Sequence, residues 1–183
     1  MIIATYIAYI VSIGFGILAL AWIIGYLGPQ NMTVTLSKTL SATASEIFMQ
    51  INDLRTWQVW SAWNPAKMKG YVSEFSGPDS GVGQVWTWSK TKYPGEIEIL
   101  ESEANQRFVY ALSMDLWPAP MISTISFKEQ DGKTEVRWEN VVDWGSRPLS
   151  RLVGFLMGKQ MLLGSLKFGL KSLEQRANKQ RDR

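Results

Sequence analysis

From Ile2 to Leu27 the chain carries no charged side chain, and beyond Gly28 and Pro29 the pattern changes to short alternations of apolar and polar residues. At 1.5 Å per residue a helix over that run is roughly 39 Å long, enough to cross a hydrocarbon core of ~30 Å with some tilt. The pattern predicts one transmembrane helix within 1–28 and a linker over 29–32. Ala19 and Ala21 hint at a signal-peptidase site, but no Lys or Arg precedes them and apolar sequence continues through Trp22, Ile23 and Ile24. A retained anchor is therefore expected rather than a cleaved signal. Tyr6, Tyr9, Trp22 and Tyr26 lie toward its two ends, where amphipathic rings favour the headgroup layer. Ala4, Ala8, Ser12 and Gly16 recur at four-residue spacing, a face that would let a second copy approach closely and form a homodimer.

Past the linker, Val34, Leu36 and Leu40 alternate with polar residues over 33–40 and predict a strand. Ser41 is expected to cap a helix carrying Ile47, Phe48 and Ile51, and a second short helix follows through 54–63. Strands are then expected over GYVSEFSG, QVWTWSK, GEIEILESE, RFVYALSMD, MISTISFKE and TEVRWENVVDW. The GPDSGVG stretch (77–83) has neither the spacing nor the following helix of a phosphate loop and reads as a turn, and Asp131-Gly132 as a tight hairpin. Ile97 and Ile99 alternate with Glu96 and Glu98, the mark of a sheet with one wet face. A long C-terminal helix over 148–177 starts with Pro148 and places Leu152, Phe155, Leu156, Leu163, Leu166, Leu170 and Leu173 in one stripe, with Lys159 projecting into it. The layout is α+β: six or seven antiparallel strands, two short helices after the first, and a long helix lying across the sheet, an arrangement that tends to enclose a cavity.

Composition narrows the chemistry. The chain has no Cys and no His, which excludes disulfides, thiol catalysis, thiolate zinc sites, a Ser/His/Asp arrangement and the commonest transition-metal ligand. No metal and no cofactor are expected. The net charge of +3 owes much to Lys171, Arg176, Lys179, Arg181 and Arg183 near the end, a solvated helix terminus and basic tail (178–183) that could also touch anionic lipid. No basic stripe interleaves with the aromatics of the domain, so nucleic-acid binding is disfavoured. The first charge in the chain, Lys38, follows the apolar run, which tilts the topology slightly toward a cytoplasmic domain.

INDLRTWQVWSAW (51–63), SGPDSGVGQVWTW (76–88), ESEANQRFVY (101–110) and LMGKQMLLGSLKFGLKSLE (156–174) resemble motifs of the START-like or SRPBCC superfamily, in particular its polyketide cyclase/dehydrase-like branch. The likeness covers about residues 33–176. It implies a helix-grip fold over 33–177, in which the sheet wraps the C-terminal helix around an apolar pocket. It also implies binding of lipids, sterols, polyketides or other hydrophobic molecules. Some members are hydrolases, cyclases or ring oxygenases. The oxygenase site needs His, which this chain lacks, and no catalytic set carries over by position.

Several residues are candidates to line such a pocket. Trp57, Trp60 and Trp63 share a helix side and would either plug the gap between short helices and sheet or rim a cavity mouth. Trp86 and Trp88 project from one strand face, expected to be the inner one because nine Trp are too many to leave wet. Val136, Trp138, Asn140 and Val142 share the face expected to be interior. Asn140 must then find a partner in backbone, water or a ligand oxygen, and Tyr110 offers a second polar contact. Phe155 lies in the helix stripe. Lys159 would either snorkel to the surface or pair with a carboxylate, including a fatty-acid head group.

The leading functional expectation is a single-pass membrane protein whose domain binds a hydrophobic small molecule or lipid. One rival is a metal-independent cyclase, dehydratase or hydrolase with a pocket carboxylate or Tyr as acid/base. Another is an interaction domain with a packed core and no ligand. An Asp or Glu inside the cavity would favour the enzyme.

Overall fold

The computed structural model describes residues 2–62, 71–115 and 117–181. Helix α1 (Ile2–Leu27) is followed by β1 (Asn31–Leu40), α2 (Ala44–Ile51) and α3 (Leu54–Trp60). Six strands come next: β2 (Val72–Ser76), β3 (Val85–Ser89), β4 (Gly95–Glu103), β5 (Arg107–Met114), β6 (Met121–Gln130) and β7 (Lys133–Asp143). The chain ends in α4 (Pro148–Val153), a π-helical turn (Gly154–Gly158) and α5 (Lys159–Arg181). The seven strands form one antiparallel sheet in the order β1-β7-β6-β5-β4-β3-β2.

Hairpin connections explain most of that order. Asp131 and Gly132 both adopt positive φ, as a two-residue hairpin turn between β6 and β7 requires. The exception is β1, which pairs with β7 along its whole length, so α2 and α3 must carry the chain from one edge of the sheet to the other. The helices bear on the concave face, where Leu162, Leu166, Leu170 and Leu173 of α5 and Ile47, Ile51, Leu54, Trp57 and Trp60 of α2 and α3 are buried. On the sheet, Val136, Trp138, Asn140 and Val142 point inward as the alternation predicts. On the outer face, Arg137 pairs with Glu139 at 3.1 Å.

Three local expectations are corrected. The first strand begins at Asn31 rather than 33, lengthened by pairing with Asp143. The cap of α2 is Thr43, not Ser41: its hydroxyl accepts from the Glu46 N–H, and the Glu46 carboxylate accepts from the Thr43 N–H. The C-terminal helix is not one stripe. The π turn inserts residues relative to an α-helix and rotates the faces, so Gly154 and Gly158 face inward. A Cβ on Gly154 would overlap the Trp144 indole, and one on Gly158 would lie 2.6 Å from its Cζ2. Phe155 and Leu156 are turned outward and exposed, and so is Lys159.

Candidate functional site

The tryptophans of the interior differ in whether their N–H groups are satisfied. Trp57 Nε1 donates to the Ile51 carbonyl at 2.9 Å and Trp60 Nε1 to that of Gln50 at 3.2 Å, so both rings fasten α3 to the end of α2. Trp86 donates to the Ser73 hydroxyl at 2.7 Å and Trp88 to the Tyr93 carbonyl at 2.9 Å, which ties β3 to β2 and to the turn before β4. All four rings are buried and their polar atoms are spoken for. They shape the interior rather than offer it a donor. Trp63 lies outside the described residues.

The opposite holds on the central strands. The register places Tyr110 opposite Ser123 and Ser123 opposite Asn140, so three polar side chains run across β5, β6 and β7 on the inner face. Ser123 Oγ donates to Asn140 Oδ1 at 2.8 Å. Asn140 Nδ2, the Tyr110 hydroxyl and Trp138 Nε1 are left without hydrogen-bond partners, each fully shielded from solvent. Trp138 is two residues before Asn140 on the same face, and its ring lies 6.4 Å from that of Tyr110. Trp57 packs edge-on against Tyr110 at 4.8 Å, and Trp60 against Trp138 at 6.1 Å. Gly169 of α5 has only a hydrogen where a Cβ would lie 2.7 Å from Trp138 Cζ3, which lets the helix press onto the indole.

The cluster is therefore a set of N–H and O–H donors enclosed by aromatic rings, with the Asn140 carbonyl oxygen already taken. Burial pushes the Tyr110 phenol above its ordinary pKa. Ser123 and Trp138 stand beside it and pull the value back down, but neither meets the hydroxyl in hydrogen-bond geometry, and desolvation wins. The phenol stays protonated and is a donor at any physiological pH. A buried polar group without a partner costs about 1–3 kcal/mol, so the arrangement fits a bound acceptor: a carbonyl, carboxylate, ether or hydroxyl oxygen, or a water.

Ser123 is the member that sequence reasoning passed over. Its signal was present, since Met121, Ser123 and Ile125 alternate on β6 and a lone hydroxyl in an apolar row marks a polar partner across the sheet. Phe155 and Lys159, expected in the pocket, are not brought to it. Both sit on the solvent side of the C-terminal helix because of the π turn, and Lys159 has taken the exposed course rather than pairing inside. Trp144 Nε1 also lacks a partner, but it lies apart, under Gly154 and Gly158.

Among the described residues no Asp or Glu is buried: Glu96 and Glu98 are exposed, and Glu139 and Asp143 are partly so. No group of three or more metal-ligating acids is found among them. Two open hollows, of about 420 and 350 Å³, lie at the β6–β7 hairpin and beside the Gly95 end of β4, both away from the donor cluster. Of the small-residue face of α1, Ser12 and Gly16 are exposed, while the side chains of Ala4 and Ala8 lie outside the described residues.

Several solved structures share this fold. A Chromobacterium violaceum protein superposes with a TM-score of 0.56 at 18% identity, covering 79% of this chain and 96% of its own. A protein of the dynemicin biosynthetic locus gives 0.54 at 13% identity, over 78% of this chain and 46% of its own. Ara h 8.0201 gives 0.56 at 13%, over 81% and 99%. At these identities the likeness is one of architecture, that of the polyketide-cyclase-like and Bet v 1-like helix-grip proteins. No curated protein sequence matches. A family model described as Activator of Hsp90 ATPase homolog 1-like protein matches residues 46–159, which span α2 to the start of α5 and include every member of the donor cluster. The chain belongs to this family of the SRPBCC superfamily.

Proposed function

We propose that the protein is a membrane-anchored module that holds a hydrophobic small molecule or lipid between the sheet and α5, with an acceptor oxygen of the ligand on Tyr110, Trp138 and Asn140. The observation that carries this reading is the set of three unpartnered donors in an otherwise apolar, aromatic interior. Trp57, Trp60, Trp86 and Trp88 supply the apolar wall, and specificity comes from the oxygen. Trp57 packs on Tyr110 and Trp60 on Trp138, so entry requires these rings or α5 to give way.

Helix α1 is long and apolar enough to span a membrane. Anchoring there raises the effective concentration of the domain beside ligands that partition into the bilayer. Lys38, the first charge after the span, favours a cytoplasmic domain. Base catalysis is less well supported: it needs an ionised acid in the interior, whereas the described buried residues include no carboxylate and the Tyr110 phenol is held protonated.

Native mass spectrometry of the detergent-extracted full chain tests the reading. An organic adduct is expected in the wild type and not in the double variant Ser123→Ala/Asn140→Val. If the wild type carries no adduct, and oxygen-bearing hydrophobes leave its tryptophan fluorescence unchanged, the cluster holds nothing more than water and the proposal is wrong.

A further inference from the structure

Where α1 ends, the domain is fastened to it. Gly25 packs so closely on α4 that a Cβ there would overlap the Pro148 carbonyl. Arg151 of α4 donates from Nη1 to the Tyr26 carbonyl at 3.1 Å and to that of Gly28 at 3.4 Å. The same guanidinium reaches the Gly145 carbonyl from Nε at 2.8 Å and Gln30 Oε1 from Nη2 at 3.2 Å. The start of α4 is thus held at the level of the last turn of α1. That level is marked by Trp22 and Tyr26, whose exposed rings stack with centroids 6.2 Å apart, the residue types that favour the headgroup layer.

From this point the chain presents its apolar side outward. Leu149, Val153, Phe155, Leu156, Met157 and Met161 are 46–69% exposed, while the inner side of the same segment is the glycine pair against Trp144. A soluble domain would place these side chains inward, and the π turn does the reverse. Arg147 and Lys159, both exposed, flank the patch with positive charge. A flexible lysine beside an apolar surface can lay its stem along that surface and reach a phosphate with its ammonium.

We propose that this segment, from Leu149 to Met161, is a second membrane contact: it lies in the headgroup–acyl boundary of the bilayer that α1 spans and fixes the tilt of the domain on the membrane. The occupant of the patch is lipid rather than a second protein, because the patch is continuous with the α1–α4 junction and begins at the depth where α1 leaves the bilayer. This inference rests on the anchor reading given above.

The chain has no cysteine, so single cysteines can be placed without background. Full-length Ser12→Cys, Leu156→Cys and Lys133→Cys, each labelled with an environment-sensitive nitrobenzoxadiazole, are reconstituted into vesicles of phosphatidylcholine and phosphatidylglycerol. The vesicles carry nitroxide lipids labelled either near the headgroup or at the bilayer centre. Expected are strong quenching of position 12 by the central nitroxide, strong quenching of position 156 by the shallow one, and none at 133. Quenching at 12 with position 156 reporting bulk water overturns the second contact and leaves the anchor intact. No quenching at either position overturns the anchor and the contact together. Protection of 156 without lipid quenching, accompanied by crosslinking of 156 to 156, assigns the patch to a second copy and overturns the proposal.

Discussion

Ser123 Oγ donates to Asn140 Oδ1 at 2.8 Å across the β6–β7 pair and so leaves Asn140 Nδ2 as a donor with no acceptor in the interior. The sheet holds this geometry through the direct Ser123–Asn140 register. A side chain kept in that state costs stability unless a ligand or water completes it.

Ser123→Ala/Asn140→Val removes the hydroxyl and the amide together and fills the space with apolar atoms. Delipidated double variant should melt at or above the temperature of delipidated wild type, since about 1–3 kcal/mol of unsatisfied burial is relieved. Calorimetry showing a fall of several degrees would mean that the pair is structural.

Tyr110 makes alkaline stability a readout of its burial. In the unfolded chain the phenol titrates near 10, and in the folded protein its pKa is raised. Below pH 10 both states hold the proton. Above it only the unfolded chain releases it, so stability falls by about 1.4 kcal/mol per pH unit until the folded phenol also ionises. Tyr110→Phe lacks this loss, and urea melts of the two proteins should diverge only above pH 10. Parallel pH profiles would show that the phenol is not desolvated.

Gln84 is fully buried between the 77–83 turn and α3. Its Oε1 accepts from the Leu54 N–H at 2.8 Å, and its Nε2 donates to Asp53 Oδ1 at 2.9 Å and to the Asp79 carbonyl at 2.8 Å. Gln84→Leu should cost about 2–3 kcal/mol in chemical denaturation, because it strands the first N–H of α3 in the interior. A loss below 1 kcal/mol would mean that water replaces the amide.

Thr43→Ala should cost about 1 kcal/mol and Thr43→Ser much less, since the serine hydroxyl keeps the cap. Equal losses for the two variants would locate the contribution of Thr43 in its methyl group instead.

Gly169→Ala should displace the Trp138 indole, which a Cβ would approach to 2.7 Å. The expected result is a changed tryptophan emission and a loss of about 1–3 kcal/mol, despite the better helix propensity of Ala. An unchanged spectrum with a gain in stability would show that α5 rides freely over the sheet.

The strands were legible because each strongly patterned segment carries its own period. TEVRWENVVDW declares its two faces without reference to any neighbour, and Asp131-Gly132 declares the turn before it. The polar residues Tyr110 and Asn140 could be picked out one strand at a time, as odd members of apolar rows. Ser123 stood out in its own row in the same way, but that it lies opposite both Tyr110 and Asn140 is a matter of register across β5, β6 and β7, a relation between strands that no single strand's period carries.

The sequence by itself determined what is local: the long uncharged helix, the alternating strands, the lack of His and Cys that narrows the chemistry, and the helix-grip resemblance carried by short motifs. Tertiary structure decided the rest, by packing. Trp144 takes the space beside the C-terminal helix and leaves room only for Gly154 and Gly158, so the chain threads a π turn there and turns Phe155, Leu156 and Lys159 outward. A helical stripe drawn at 3.6 residues per turn has no means of anticipating an inserted residue, and it is that insertion which moves Phe155 and Lys159 from the pocket to the exposed surface.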